Sequence, residues 1–211
     1  MNCHLCETRK PRRYCPALCS QICAVCCGEE REVTIDCPFH CEYLQEARRH
    51  EKGSPLPDSP PNRDIPMTDE FLAEHGGLIE LVGRALGLAA GEVAGIIDQD
   101  MREALEALIR TYRTLQSGLL YESLPTNPLA ARIHERFRGF IEDLKAREAR
   151  QTGIHRIRDA EILGALVFLQ YTEFTFNNGR KRGRTFIHAL TTMAEGLREE
   201  GPSRVIRPLG F

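Results

Sequence analysis

All nine cysteines of this 211-residue chain lie in its first 41 residues. They form four close pairs, and one cysteine is left over. Cysteines that only fill a hydrophobic core would be scattered along the chain. The clustering therefore predicts a metal-binding module at the N-terminus.

The spacing within the pairs suits tetrahedral zinc. CxxC and CxxxC pairs on tight turns aim two thiolates at one ion, about 2.3 Å from each sulfur. Two pairs fill one site, so four pairs predict two Zn²⁺ ions in closed sites that are structural rather than catalytic. Because about 45 residues bury little core, metal binding would supply the folding energy. The pairs can be joined as neighbours or interleaved, and the spacing leaves both arrangements open.

The stretches CHLC, RRYCPALC, ICAVCC and CPFHC resemble the MYND and HIT-type zinc fingers over residues 3 to 41. The shared features are an opening CxxC and a YxCPxxC-like second pair. The resemblance implies two interleaved zinc sites in a treble-clef or cross-brace fold. One zinc would take Cys3, Cys6, Cys23 and Cys27. The other would take Cys15, Cys19, Cys37 and Cys41.

The chain departs from these families in two places. The families usually have a histidine in the last pair, where this chain has Cys37. In the third pair either Cys26 or Cys27 can be the ligand. We favour Cys27 because Gly28 follows it and suits a tight metal-binding turn.

Two other chemistries fit part of the pattern. CSQICAVC, residues 19 to 26, matches the CxxxCxxC triad that holds a [4Fe–4S] cluster in radical SAM enzymes. Such enzymes need a barrel of βα units behind the triad, and the pattern here is helical. Cys26, if left out of both zinc sites, would be an oxidisable thiol, which makes a redox-responsive protein a further alternative.

Composition divides the chain into three parts. Residues 1–48 are the cysteine-rich module, 49–66 are a proline-rich linker, and 67–211 are predicted to form an all-α bundle of five or six helices. The bundle prediction depends on apolar residues recurring at three- and four-residue steps. The expected fold class is mainly α, with a small double-zinc module before the bundle.

Several residues mark where the helices begin and end. Thr68 is a good N-cap, and Asn127 followed by Pro128 is a strong start signal. Residues 162 to 169 are apolar nearly all round, which predicts a helix through the middle of the bundle. Gly76 and Gly77 predict a break or bend in the first long helix. The left-handed residues expected to stop the central helix are Asn177, Asn178 and Gly179.

Two basic clusters are candidates for phosphate contact, and they lie at residues 9–13 and 180–184. The second supplies the candidate anion or nucleic-acid contacts Arg180, Lys181, Arg182 and Arg184. Lys/Arg and Asp/Glu are balanced at eight each in residues 1–52, so eight thiolates and two Zn²⁺ make the module net negative. A general DNA-binding role is therefore disfavoured, and local charge balance explains the first cluster.

The remaining patterns favour a non-enzymatic protein. No apolar run is long enough for a membrane span, no secretory signal is visible, and a cytoplasmic location is expected. We find no phosphate-binding glycine loop, nucleophile elbow or di-iron motif. The resembling fingers act mainly in protein interaction, which implies an adaptor or scaffold whose partner is another protein. The bundle offers a surface for homo-oligomers. A nucleic-acid-associated regulatory zinc protein is the main alternative.

Overall fold

The computed structural model of the protein describes residues 2–152 and 157–199. The N-terminal part begins with an antiparallel hairpin, β1 (Arg13–Cys15) and β2 (Ser20–Ile22), in which Cys15 is paired with Ser20. Two short helices follow, α1 (Ala24–Glu30) and α2 (Glu42–His50). Besides the cysteines, its small core contains Ile22, Ile35 and Leu44, so apolar burial contributes little here.

The described residues after position 67 form helices and contain no strand. The five helices are α3 (Asp69–Gly91), α4 (Asp98–Gln116), α5 (Pro128–Thr152), α6 (Asp159–Phe176) and α7 (Thr185–Glu199). The predicted mainly α fold class, with a cysteine-rich N-terminal part and a helical bundle, is confirmed. Residues 200–211, the end of the predicted bundle, lie outside the described residues. None of the described helices has the length and apolar character needed to span a bilayer.

The helix starts follow the sequence signals. Thr68 caps α3, and its Oγ1 accepts a hydrogen bond from the Phe71 amide at 3.1 Å. Asn127 precedes α5 and accepts from the Leu129 amide at 2.9 Å, with Pro128 in the first helical position. Each side-chain oxygen satisfies one of the amides that a helix N-terminus leaves unpaired.

Two local predictions were wrong in part: the break expected at Gly76 and Gly77 is absent, and two of the three residues expected to be left-handed after α6 are not. Helix α3 continues without interruption through Gly76 and Gly77, because burying its later turns outweighs the roughly 1 kcal/mol that each glycine costs a helix. At the end of α6, only Gly179 has a left-handed φ, of 68°. Asn177 and Asn178 instead accept hydrogen bonds from amides two residues ahead, as Asx turns do.

Helix α6 lies in the middle of the bundle, as its all-round apolar sequence predicts. Residues 162–167 and Leu169 are buried, and Phe168 is half-buried. Helix α6 packs against α3, α4 and α7. Helices α3 and α7 approach each other closely at Gly87, where a Cβ atom would collide with the carbonyl of Leu190. The small residue at this position is what permits that approach.

The segment between the module and α3 has no regular secondary structure, but it is attached along α6 and α4. Ser54 donates through its amide to the Thr175 carbonyl and through its hydroxyl to the Asn177 carbonyl, at 3.0 and 2.7 Å. Asp64 forms a two-point ion pair with Arg113 on α4, at 2.6 and 2.7 Å. The proline-rich segment therefore contributes to the tertiary structure.

Asp98 joins the start of α4 to the start of α7. Its buried carboxylate accepts hydrogen bonds from the amides of Phe186 and Ile187, at 3.2 and 3.0 Å. Burial raises the pKa of Asp98 to about 6, and the nearby charge of Glu173 adds to the shift. A carboxylic acid whose pKa is raised by folding contributes its full stabilisation at pH values below its pKa in the unfolded chain, which is 3.8 for Asp98. That contribution is lost as the pH rises through the folded value.

We therefore expect Asp98→Asn to change the pH dependence of stability. Relative to this variant, the wild type should lose about 1 kcal/mol of unfolding free energy between about pH 5 and 7. Urea titrations at several pH values measure the difference. Asp64→Asn is the control, because Arg113 lowers the pKa of Asp64 and its contribution is constant in this range. A difference between wild type and Asp98→Asn that does not vary with pH would contradict the raised pKa.

Candidate metal centre

Four cysteines of the N-terminal part come together in one cluster, in which all the sulfur atoms lie within 4.8 Å of one another. In the described ranges, no other group of three or more potential ligand side chains meets this distance. Three of the thiols are buried and the fourth, that of Cys6, is half-buried. The members are Cys3, Cys6, Cys23 and Cys26.

Local backbone geometry positions this cluster. Cys3 and Cys6 lie on a tight turn closed by the Glu7 amide donating to the Cys3 carbonyl at 2.8 Å, and the Cys3 amide donates to the Arg9 carbonyl at 2.8 Å. The Cys23 amide donates to the Cys3 sulfur at 3.1 Å, which brings the turn against the end of β2. Cys23 is also the N-cap of α1, and its sulfur accepts from the Cys26 amide at 3.4 Å. Hydrogen bonds from amides stabilise negative charge on sulfur.

The thiols of the cluster differ widely in acidity. A hydrogen bond from the Thr8 side chain, helped by backbone amides, lowers the pKa of Cys6 to about 5. The hydrogen bond with Cys23, together with burial, raises the pKa of Cys26 to about 12. Like charges this close cannot all be present without a compensating cation. A bound divalent metal ion would supply that compensation.

The spacing of the sulfur atoms fits a single tetrahedral ion. With metal–sulfur bonds of about 2.3 Å, the sulfurs of a four-thiolate site are about 3.8 Å apart. A separation of at most 4.8 Å is close to that value, so small side-chain rotations complete the geometry. A four-iron cubane holds its ligands further apart, because iron and sulfide atoms lie between them. The donor set and its spacing therefore suit Zn²⁺ better than an iron–sulfur cluster.

The arrangement of these sulfur atoms bears on two alternatives that the spacing left open. The first pair joins the third, so at this site the pairs are interleaved. The member from the third pair is Cys26, and Cys27, which we favoured, lies outside the cluster. Successive helical residues point about 100° apart, so adjacent cysteines on α1 cannot face the same ion. The N-cap position of Cys23, three residues before Cys26, was the overlooked signal, whereas Gly28 lies within α1.

The predicted second set is only partly assembled. Cys15, Cys37 and Cys41 are buried around one small cavity, where Cys27 also lies. Cys19, the remaining predicted ligand, is exposed on the hairpin turn, and its thiol faces the Pro16 carbonyl at 3.6 Å. Burial raises the pKa of Cys37 to about 11, and the neighbouring Cys41 and Cys15 add to the shift.

The basic cluster at 9–13 contributes to charge balance. A hydrogen bond with Cys23 raises the pKa of Arg9. Arg13 donates from Nη1 to the sulfur of Cys27 at 3.4 Å, and its guanidinium lies over the ring of Tyr43. These contacts are what the charge-balance interpretation of this cluster predicts.

The cluster at 180–184 mostly faces the cysteine-rich part of the same chain. Arg180 donates from Nη1 to the carbonyl oxygens of Gly28 and Arg31, at 3.2 and 2.6 Å. Lys181 is exposed. Of the four predicted nucleic-acid contacts, Arg180 is thus engaged within the protein and Lys181 is open to solvent.

Arg182 and Arg184 complete this internal contact. Both form ion pairs with Asp36, at 3.5 and 3.2 Å. Arg184 also donates to the Cys37 carbonyl at 2.6 Å and lies over the ring of Phe39. The nucleic-acid role of these residues stays a prediction, but their contacts give them a structural role.

Glu32 is the centre of the contact between the cysteine-rich part and the bundle. Its side chain is 1% exposed. The carboxylate accepts from Arg48 Nη2 at 2.8 Å, from Asn178 Nδ2 at 3.0 Å and from the Arg184 amide at 3.3 Å. Its carbonyl oxygen accepts from the Arg182 amide at 2.8 Å. One residue therefore connects α2 to the loop between α6 and α7.

Replacing Glu32 with alanine should separate the two parts of the chain. Removing one partner of a buried ion pair leaves an uncompensated charge, so we expect a loss of about 3 kcal/mol or more in unfolding free energy. Glu29→Ala changes an exposed residue of the same region and should cost less than about 0.5 kcal/mol. Hydrogen exchange should accelerate in residues 28–37 and 178–186 for Glu32→Ala alone. Equal protection in both variants would argue against the proposed role of Glu32.

Comparison with protein-family models, with curated proteins and with solved structures gives no match for this chain.

Proposed function

We propose that this protein is a non-enzymatic zinc-binding adaptor or scaffold whose N-terminal module depends on metal for its structure. The observation that carries the proposal is the cluster of Cys3, Cys6, Cys23 and Cys26. Four thiolates close the coordination sphere of Zn²⁺ and leave no position for water or substrate. Such a site stabilises a fold and does not activate a nucleophile.

The interleaving of the first and third pairs also supports the resemblance to MYND and HIT-type fingers, which act mainly as protein-interaction modules. We propose a cytoplasmic location as well. All nine cysteines are unpaired, and thiols remain reduced in that compartment.

An interaction role has a second support in the segment between α4 and α5. Four large apolar side chains are exposed within six residues, and Leu120 is 96% exposed. Single exposed apolar residues are common on monomers, but a group of this kind is typical of interaction sites. The members are Leu119, Leu120, Tyr121 and Leu124.

Metal analysis of the purified full-length protein tests the metal part of the proposal. We expect zinc and a colourless protein, and we expect Cys26→Ser to hold one ion fewer than the wild type. Cys19→Ser, which changes an exposed cysteine, should keep the wild-type content. Iron with visible absorption, or full zinc content in Cys26→Ser, would contradict the assignment.

The adaptor part is tested by quantitative affinity purification from the source cells. We expect at least one protein to be retained in stoichiometric amount by the wild type, and its recovery to fall at least about tenfold, or about 1.4 kcal/mol, with Leu120→Ser. Leu56→Ser is the matched control, because Leu56 is also an exposed leucine in a segment without regular structure, at 43% exposure. Equal recovery with the wild type, Leu120→Ser and Leu56→Ser would show that this segment is not the interaction site. Failure of the wild type to retain any protein would contradict the adaptor role.

A further inference from the structure

The small cavity in the N-terminal part, beside the Cys3 cluster, is lined by four buried cysteines. Its volume is about 10 Å³, close to the space that a single water molecule or metal ion occupies. The relative exposure of each of these cysteines is 8% or less. They are Cys15, Cys27, Cys37 and Cys41.

This set comes from four different elements. Cys15 ends β1, Cys27 lies in α1, Cys37 is in the loop after α1, and Cys41 is the N-cap of α2. Apolar side chains close the cavity, among them Ile22, Ile35 and Leu44. The four thiols therefore converge from separate elements on a space about the size of one ion. A bound zinc ion would stabilise this arrangement.

Cys19 does not belong to this set. It is exposed and does not line the cavity. It occupies the last position of the four-residue turn between β1 and β2, with φ at 48°. Reaching the cavity would require this turn to refold, whereas Cys27 already lies there.

The adjacent positions of Cys26 and Cys27 on α1 explain how one helix can serve two ions. Their side chains diverge by about 100°, so the first faces the Cys3 cluster and the second faces the cavity. The sequence CC is then not a redundant ligand pair. Each cysteine supplies one ligand to a different site.

Charge at the cavity also suits a four-thiolate zinc site, which carries two negative charges. Arg13 donates to the sulfur of Cys27 at 3.4 Å. Arg31 lines the cavity too, and its buried Nε has no hydrogen-bond partner. Two guanidinium groups beside the cavity would offset the charge of the thiolates.

We propose that Cys15, Cys27, Cys37 and Cys41 bind a second Zn²⁺, and that Cys19 is the free thiol of the chain. No three of these sulfurs lie within 4.8 Å of one another, so binding requires the side chains to close around the ion. Each coordinated thiol releases its proton to solvent, and no oxidation or reduction takes place. This inference rests on the proposed zinc-binding function and adds a site with its own ligands.

The test measures zinc per chain in full-length wild type, Cys27→Ser and Cys19→Ser. We expect about two, one and two ions, since the eight thiolates other than Cys19 fill two closed sites of four. Cys27→His should restore the second ion, because imidazole is also a zinc ligand. Two ions in Cys27→Ser, or one in Cys19→Ser, would overturn the proposed ligand set.

A double variant separates this inference from the proposed function. If Cys27→Ser holds one ion and Cys26→Ser/Cys27→Ser holds none, the two sites are distinct, as proposed. If the wild type holds a single ion that depends on Cys26, the first site stands and the second is refuted. If the wild type holds no metal, both are refuted.

Labelling of the native wild type gives a readout that does not depend on the folding of any variant. Metal-bound thiolates are protected from alkylation, and an exposed free thiol is not. A maleimide reagent followed by peptide mass spectrometry should modify Cys19 alone, and chelation should then expose the other eight. Modification of Cys27 before chelation, or protection of Cys19, would overturn the proposal.

Discussion

The buried carboxylate of Glu32 is the central contact between the two parts of this protein. Burying a charge is costly unless hydrogen bonds and an opposite charge compensate it, and Glu32 has both, from Arg48, Asn178 and the Arg184 amide. The residue lies in the chain between Cys27 and Cys37, so the segment that connects the cysteine pairs is also the segment that contacts the bundle. A change in the structure of the cysteine-rich part would therefore alter the contacts at the start of α7.

This contact changes how the basic residues are understood. Arginines in a loop favour phosphate binding when they project into solvent, but three of the four basic residues at 180–184 bond to carbonyl oxygens or carboxylates of the same chain. Arg13 is likewise used internally, at the sulfur of Cys27. In the sequence, this positive charge suggests nucleic-acid binding. In the fold, much of it instead compensates thiols and carboxylates of the same chain.

The helical part was predictable to a large extent. Its starts are fixed by local chemistry at Thr68, Asn127 and Pro128, and its central helix by an apolar run that only a buried position tolerates. The glycine pair in α3 and the asparagines after α6 were misread, because local propensity is weak against tertiary packing and side-chain hydrogen bonds. In the cysteine-rich part, the sequence predicted that the first and third pairs could meet, but Cys19 of the second pair is exposed and Cys26 rather than Cys27 joins Cys3, Cys6 and Cys23, because the direction of α1 decides which of the two faces them.

The sequence by itself determined that the cysteines are confined to an N-terminal part with spacing that suits metal ligands, and that a helical bundle follows, because residue spacing and apolar periodicity are local properties of the chain. Only the tertiary structure decided which pairs meet, that Cys26 joins Cys3, Cys6 and Cys23, and that Cys19 faces solvent. It also decided that the loop at 180–184 packs on the module. These outcomes depend on how separate elements are oriented in space, and residue spacing along a chain does not encode that orientation.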